Sequence, residues 1–568
     1  MNIKHKLVIG VVALTAAVVF LGQDLSPIKK EMFQFHDQTQ AARAQTFAEN
    51  VTRGQIPPRI APGYSFNLGY PLFNYYAPAA YWITSVLILC GVYIITAIKL
   101  SLLGGLMLAF IAMFGWLYKR FSFYASLLGA FAYVTSPYFA VEIFVRGSLS
   151  EIWFLAFLPL CLYLYDRIRE KPTYQNIFWA SIATMLLATV HNIMSPIGLA
   201  ILIFYMILYR IKEGVLPLFL GILMSVYFIV PALMEMKWTH AVAIAAQTEY
   251  KDHFLCVWQL WTSRGWQFGG SAPGCDDDGF SFKLGKLHFI FGLLGVSIAI
   301  WTNIFHKKEK MRKEVAAVMV LGSVSLFLTT YASKFVWDSF SSIFRMLQFP
   351  WRFLVFGMFS LSYFSAYAVD KIKKAVAVPN MVPIGTIIAI GAVLAFNIQY
   401  FQRQGIPYYD YATQYLSEDY KVNHIVYYIA EYLPNSVELR TWLSYQSEIK
   451  TPKFLTGVIE VLDKKSVNNI VSKGLKREAT TTSNNFYLNI HRAPYWNITI
   501  DDRVFVPTKV DKLGRPLVKL SGGEHRIRIE YRQTLLEKLS NIISLIAFGF
   551  LLLGFVVFKH GSKITQKK

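Results

Sequence analysis

Ala77-Pro78-Ala79-Ala80-Tyr81-Trp82-Ile83-Thr84-Ser85-Val86-Leu87-Ile88-Leu89-Cys90-Gly91-Val92-Tyr93-Ile94 is the stretch on which the topology turns. It is apolar enough to cross a bilayer, and a crossing here would reverse the side on which every later segment lies. Short basic clusters decide between the two arrangements. They are Lys119-Arg120, Arg167 with Arg169 and Lys171, Arg210 with Lys212, Lys307-Lys308 with Lys310, Lys371 with Lys373-Lys374, and Lys567-Lys568. If 77–94 spans, these clusters lie opposite Lys4 and Lys6. If it lies at the interface or re-enters, all of them join Lys4 and Lys6 in the cytoplasm, which the positive-inside rule favours. Pro78 and the preceding Tyr75-Tyr76 also suit an interfacial helix, so 77–94 is expected on the external surface.

Outward from that stretch the chain is a series of apolar runs. Of 568 residues, 55% are hydrophobic and 16% charged, against about a quarter charged in soluble domains. Spans are expected near 7–22, 97–117, 123–141, 151–166, 174–191, 195–210, 215–234, 287–304, 315–331, 352–369, 380–399 and 538–558, since roughly 20 apolar residues cross about 30 Å of hydrocarbon. Lys4 and Lys6 precede a long apolar run with no small-x-small cleavage site, which reads as an uncleaved first span with a cytoplasmic N-terminus. The net charge of +22 sits in loops and not in a basic stripe with base-stacking aromatics, so nucleic acid is set aside as a partner.

The fold class expected is a polytopic all-α membrane protein of about 12 transmembrane helices with a C-terminal external α+β domain. Residues 1–399 form the core, with external loops at 23–95 (carrying interfacial helices), around 145–150 and at 235–286. Residues 400–537 are too polar for membrane and too long for a loop. Residues 411–432 look helical. Alternating runs at 486–490, 496–500, 518–520 and 525–529, with turns such as Gly522-Gly523 between them, point to a small β-sandwich. Residues 538–568 supply the final span and a basic cytoplasmic tail.

Chemistry-bearing residues gather at the external ends. Asp37, beside His36, is a candidate general base or metal ligand at the membrane surface; the plainer reading is a solvated charged helix. Arg146 and Glu151 flank a very short turn, where charges are costly unless paired or used. Arg146 has the planar fork that suits phosphate, and an interfacial ion pair is the alternative. His191 ends a span and is more often structural than catalytic in such a place. Glu235 follows Pro231 in the same layer. Asp276-Asp277-Asp278 is either a cation site or an ordinary acidic turn. Arg352, in Gln348-Phe349-Pro350-Trp351-Arg352-Phe353, is a candidate for an anionic head group or an interfacial Trp/Arg anchor. Cys90 and Cys161 lie in apolar runs and read as packing residues. Cys256 and Cys275 share one polar loop and are expected to form a disulfide if it faces an oxidising compartment. There is no Cys/His zinc spacing. Asp37, Arg146 and Arg352 are expected to converge on one external cavity, with His191 and Glu235 at its margin.

These residues also carry a resemblance. Phe35-His36-Asp37, Gly54-Gln55-Ile56-Pro57-Pro58-Arg59 and Gly69-Tyr70-Pro71-Leu72-Phe73-Asn74-Tyr75-Tyr76-Ala77-Pro78 resemble bacterial membrane proteins labelled 6-pyruvoyl-tetrahydropterin synthase related, which share nothing with the soluble zinc enzyme of that name. Arg146-Gly147 with Glu151, His191-Asn192, Pro231-Ala232-Leu233-Met234-Glu235, Ser281-Phe282-Lys283-Leu284-Gly285 and Phe349-Pro350-Trp351-Arg352-Phe353-Leu354 follow in the same order. The C-terminal part, through Tyr495-Trp496 and Gly523-Glu524-His525, looks like the YfhO family. Both groups resemble the glycosyltransferase C superfamily. The resemblance implies a bacterial inner-membrane enzyme using a polyprenyl-phosphate-linked sugar donor and a glycan, lipid or protein acceptor, with Asp37 as its acid. His36, Arg146, Glu151, His191, Glu235 and Arg352 would bind substrate among the membrane lipids. His36-Asp37 stands where many members carry paired acids, which leaves a divalent ion (Mg or Mn, on Asp37) open. A non-enzymatic scaffold and a lipid-linked glycan transporter are the competing classes. Few charges at mid-membrane count against the transporter.

Overall fold

Hydrocarbon offers no water to satisfy bare backbone groups, so long apolar runs must close their hydrogen bonds within helices. The computed structural model describes residues 3–564 except 248, 264–269, 277, 306–311, 376–380, 404–406, 409–410, 449–454, 464 and 472–473. Lys307, Lys308, Lys310, Lys567, Lys568 and Asp277 therefore lie outside the described residues. Among the described residues eight helices are long and apolar enough to cross a bilayer: Lys4–Leu21, Ile94–Tyr118, Leu149–Glu170, Lys212–Trp238, Lys286–Phe305, Pro350–Ala375, Met381–Tyr400 and Leu535–Val557.

The remaining expected spans come out differently. The run 123–141 is not continuous: Phe123–Val134 and Pro137–Arg146 are bent by 47° and make a ninth crossing only as a pair. Pro137 sits at the break, where it has no N–H to continue the helical ladder. Tyr174–Thr189, Met194–Tyr209 and Lys313–Thr329 have 16, 16 and 17 residues, at or below the short end of the ~17–25 residues that span. Against the expected dozen, eight or nine helices among the described residues are long enough.

In the deciding stretch the helix is too short to cross a bilayer by itself. Ala79–Leu89 is a helix of 11 residues, about 16 Å long, roughly half of a hydrocarbon core. Gly91, at φ 88°, turns the chain before the Ile94–Tyr118 helix begins. The short helix packs against Gln40–Thr52 and the start of Ile94–Tyr118.

Leu149–Glu170 and Leu354–Ala375 are buried along most of their length, whereas the helices at either end of the chain present large exposed apolar side chains such as Leu7, Val12, Leu545 and Phe550. Exposed apolar bands of that kind suit a lipid-facing perimeter. Lys286–Phe305 lies along Leu354–Ala375, where Gly295 meets the Phe364 backbone so closely that a Cβ would clash.

Beyond the membrane core, two antiparallel sheets face a shared core of Phe486, Leu488, Ile498, Ile527 and Ile529. One has five strands in the order Val467–Val471, Lys476–Thr481, His525–Tyr531, Trp496–Ile500, Arg503–Val504. The other runs Ile459–Val461, Asn485–Leu488, Leu517–Lys519. Arg477 fastens this sandwich to the first loop: its guanidinium donates to the carbonyls of Asn67 (2.7 Å), Asn489 (2.7 Å) and Pro62 (2.9 Å). With no carboxylate to offset its burial, Arg477 is pushed down to about 10.

Candidate functional site

The site is built around a bend. Val141–Arg146 forms a π-helical turn, a geometry that recurs at functional sites. Gly147, at φ 64°, reverses the chain into the Leu149–Glu170 helix. A side chain at Gly147 would collide with the Phe35 ring, so glycine here lets the first external loop lie directly on the bend. The Met32–Phe33 strand of that loop pairs with Pro407–Tyr408. Three residues on, His36 N donates to Val145 O (2.9 Å) and Asp37 N to Arg146 O (3.0 Å). The backbone thus binds Asp37 to the residue beside which sequence had placed it.

Arg146 Nη1 reaches both oxygens of Glu142 (2.8 and 2.6 Å) and Glu151 Oε2 (2.6 Å). Its guanidinium also lies 4.7 Å from the Trp351 ring, a favourable cation–π placement. Glu151 Oε1 faces two further groups, His191 Nε2 at 3.3 Å and Arg352 Nε at 3.6 Å, yet neither Glu151 Oε1 nor Arg352 Nε makes a hydrogen bond. Arg352 Nη1 donates to Leu347 O (2.7 Å) and Gln348 Oε1 (3.1 Å). His191 Nδ1 accepts from the backbone N–H groups of Ile193 (3.0 Å) and Met194 (3.1 Å). That assigns the ring proton to Nε2, pointing at Glu151. Arg146, Glu151, His191 and Arg352 therefore converge.

Asp37 borders this group and is half-buried. Its Oδ2 accepts from Gln40 Nε2 at 3.2 Å; Gln40 Oε1 accepts from Tyr81 Oη at 2.7 Å. Arg43, in the same helix, lies 3.4 Å from Tyr81 Oη and 5.0 Å from the Tyr76 ring. Burial pushes the His36 imidazole below its ordinary range; Asp37 opposes that shift and Arg146 adds to it. His36 is thus neutral near pH 7.

Two expectations need correction. Glu235 is not brought to this group. Its carboxylate accepts from Asn74 Nδ2 (2.8 Å) and Thr534 Oγ1 (2.7 Å), next to Arg59, which bonds Asn74 and Asn541. A carboxylate so placed ties the first loop to the last helix. Nor do the two roomy cavities lie at this meeting point: the hollow beside Arg352 is bordered otherwise by apolar side chains such as Ile193, Met194 and Phe356 and has no room for water. Cavities of about 520 and 420 Å³ lie instead against the external domain.

Glu142 was missed, though its i, i+4 spacing to Arg146 was a usable signal. Cys256 and Cys275 are disulfide-bonded, with Cα atoms 5.7 Å apart. In the acidic turn, Asp278 accepts from Ala272 N (2.9 Å) and Gln259 Nε2 (2.5 Å), which is the work of a loop tie. Among the described residues no three carboxylate, imidazole or thiolate groups converge as metal donors. Asp37, with an amide on its Oδ2 and His36 turned towards the Phe280 ring (6.1 Å), does not fit a protein-built metal centre.

No family model matches the chain, and no curated protein matches it. Solved structures with a similar shape include the arabinofuranosyltransferase AftD from Mycobacteria (14% identity, 72% of this chain and 28% of that one, TM-score 0.45). Another is the oligosaccharyltransferase AglB from Archaeoglobus fulgidus, in complex with an inhibitory peptide and a dolichol-phosphate (11%, 71% and 56%, 0.40). A third is ArnT from Cupriavidus metallidurans bound to undecaprenyl phosphate (11%, 69% and 75%, 0.37). The chain spans about a quarter of the first and just over half of the second. All three scores fall below 0.5.

Proposed function

We propose that the chain is an integral membrane glycosyltransferase of a bacterial inner membrane, which moves a sugar from a polyprenyl-phosphate-linked donor to an envelope acceptor at the external face. The observation that carries this is the pair of backbone hydrogen bonds from His36 and Asp37 to Val145 and Arg146. They set a half-buried carboxylate beside a buried arginine group with bonding capacity left over. Asp37 takes the proton of the acceptor hydroxyl as its oxygen bonds to the anomeric carbon of the sugar. The bond from that carbon to the lipid phosphate breaks, and the phosphate leaves with the electron pair. Arg352 neutralises it: Arg146 is already engaged by two carboxylates, whereas Arg352 Nε is unbonded. No step is routed through a metal.

The test is transfer by the purified full chain in lipid nanodiscs, with a panel of labelled polyprenyl-phosphate sugars. Asp37→Asn lowers transfer by about a hundredfold or more while thermal unfolding and donor binding persist. Full activity in that variant sinks the proposal. The closed pairs around Arg146 favour a second reading, a non-catalytic scaffold or carrier of lipid-linked glycan in envelope assembly. On that reading the wild type shows no transfer with any donor.

A further inference from the structure

The cavity of about 520 Å³ lies on the seam between the membrane core and the sandwich. Neither its position nor its lining was anticipated from the sequence, and the chemistry above makes no use of it. Trp238, at the end of the Lys212–Trp238 helix, supplies a half-buried aromatic wall from the core. Phe505, just past the Arg503–Val504 edge strand, supplies one from the sandwich. Asn435, Arg492 and Asn497 line the space between with donors and acceptors that water reaches. Among the described residues, Arg492 is the single ionisable group of the lining apart from tyrosine, and no carboxylate lines it.

We infer that this seam is a carbohydrate-binding groove for a short oligosaccharide without cationic groups. Sugar rings offer apolar C–H faces bordered by hydroxyls, and half-exposed aromatic walls with amide and guanidinium groups between them match both features. The volume falls in the range of roughly 300–1,000 Å³ typical of small-ligand sites. A purely apolar occupant would strand the polar lining. A peptide added to the sheet would need a longer free edge than Arg503–Val504, which has two residues. A base-bearing sugar would meet Arg492 with no acid to receive it.

The groove is linked to the ionic site through a short series of contacts. Tyr75 forms part of its wall. The Tyr75 carbonyl accepts from Asn192 Nδ2 at 2.8 Å, and the neighbouring His191 faces Glu151. On the function proposed above, the bound glycan belongs to the acceptor, whose far end lies in the groove while its reacting hydroxyl approaches Asp37. Binding itself does not depend on that function.

The experiment uses the full chain in nanodiscs and measures equilibrium binding of labelled tetrasaccharides of glucose, mannose, galactose, N-acetylglucosamine and glucuronate, with proline-rich and polyvaline peptides alongside. At least one sugar binds saturably. Trp238→Ala and Phe505→Ala each weaken it by about tenfold or more. Phe505 packs partly against the sandwich core, so Trp238→Ala, at a residue outside that core, is the variant that separates lost binding from lost folding, and circular dichroism confirms the fold of each. The inference is overturned if none of these sugars binds, if both aromatic variants bind as well as the wild type, or if a peptide binds in their place. Binding that passes these controls while no donor supports transfer would uphold the groove and reject the glycosyltransferase reading.

Discussion

Two buried ionic groups stand at opposite ends of the Leu149–Glu170 helix, and they are completed differently. At the C-terminal end Arg120 uses every guanidinium nitrogen: Nε meets Glu314, Nη1 donates to Asp166 (2.6 Å) and Trp116 O (2.7 Å), and Nη2 meets Tyr205. Asp166 also accepts from Tyr205 (2.6 Å) and pairs with Arg169 at 3.3 Å. At the N-terminal end one nitrogen of Arg146 carries all three carboxylate contacts, and the Glu151–Arg352 approach of 3.6 Å closes without a hydrogen bond. Glu151 and Asp166 are about 22 Å apart along the helix. Buried charge is tolerated only when its hydrogen bonds are made. The saturated end therefore reads as a structural tie, and the unsaturated end as a place where a ligand's oxygens complete what the protein leaves open.

The largest effect separates these roles. Arg120→Ala leaves Asp166 and Glu314 buried without their shared cation and costs about 3–5 kcal/mol, enough to lose most of the folded yield. Arg146→Ala leaves Glu142 buried without its cation while Glu151 still faces Arg352 and His191; because Arg146 bonds its carboxylates through one nitrogen and Arg120 uses all three, the fold loses less, while donor binding and transfer fall as Arg352 is drawn to Glu151. Thermal unfolding of the two variants in matched nanodiscs checks this. Equal destabilisation would make the outer group a second tie and remove the contrast.

A smaller effect sharpens it. Arg352→Lys keeps the charge and loses the planar fork. Donor KM rises by about tenfold, equivalent to ~1.4 kcal/mol of binding, and kcat changes less. Stability moves by under about 1 kcal/mol, because the fork is not fully bonded at rest. A change in kcat alone would mean that Arg352 acts on the transition state and not on donor binding.

Sequence patterning located much of this and missed particular parts for physical reasons. The strands around Trp496–Ile500 and His525–Tyr531 were legible because alternation repeats every second residue. That 77–94 does not form one full-length span was legible because charge counts on either side of it are independent of its own apolarity. The break at Pro137 was visible as a proline, but hydropathy averages over it and reports one span. The convergence of Arg146, Glu151, His191 and Arg352 followed from layer alone, since residues at one membrane depth have few places to go. Depth does not fix position within the layer, and so Glu235 was misplaced: its partners Asn74 and Thr534 come from distant segments. The Trp238–Phe505 groove joins two domains, and no local pattern encodes a seam.

The weakest expected effect comes from a third kind of ion pair, one in contact with water. In the sandwich, His525 Nδ1 bonds Asp501 Oδ2 at 2.8 Å, and Asp501 is about half exposed. The Asp501 carboxylate, and then the Ser521 carbonyl, hold the imidazole above its ordinary range; the His525 bond holds Asp501 below its own. The two shifts act on stability in opposite pH directions. A raised histidine stabilises fully below its unfolded value of about 6.5, and that contribution fades as pH rises through the folded value. A depressed aspartate stabilises above about 3.9 and loses its contribution as pH falls through the folded value. The pair therefore supports the sandwich best on the acid side of neutrality. Between about pH 6 and about pH 9, protection of the His525–Tyr531 strand against hydrogen exchange, corrected for the intrinsic rate, declines modestly, because solvent screens such pairs to roughly 0–1 kcal/mol. His525→Gln flattens that decline without reaching the loss seen in Arg120→Ala. A decline as steep in the Gln variant as in the wild type would assign the pH dependence to another group, and a loss equal to that of Arg120→Ala would erase the distinction between exposed and buried pairs.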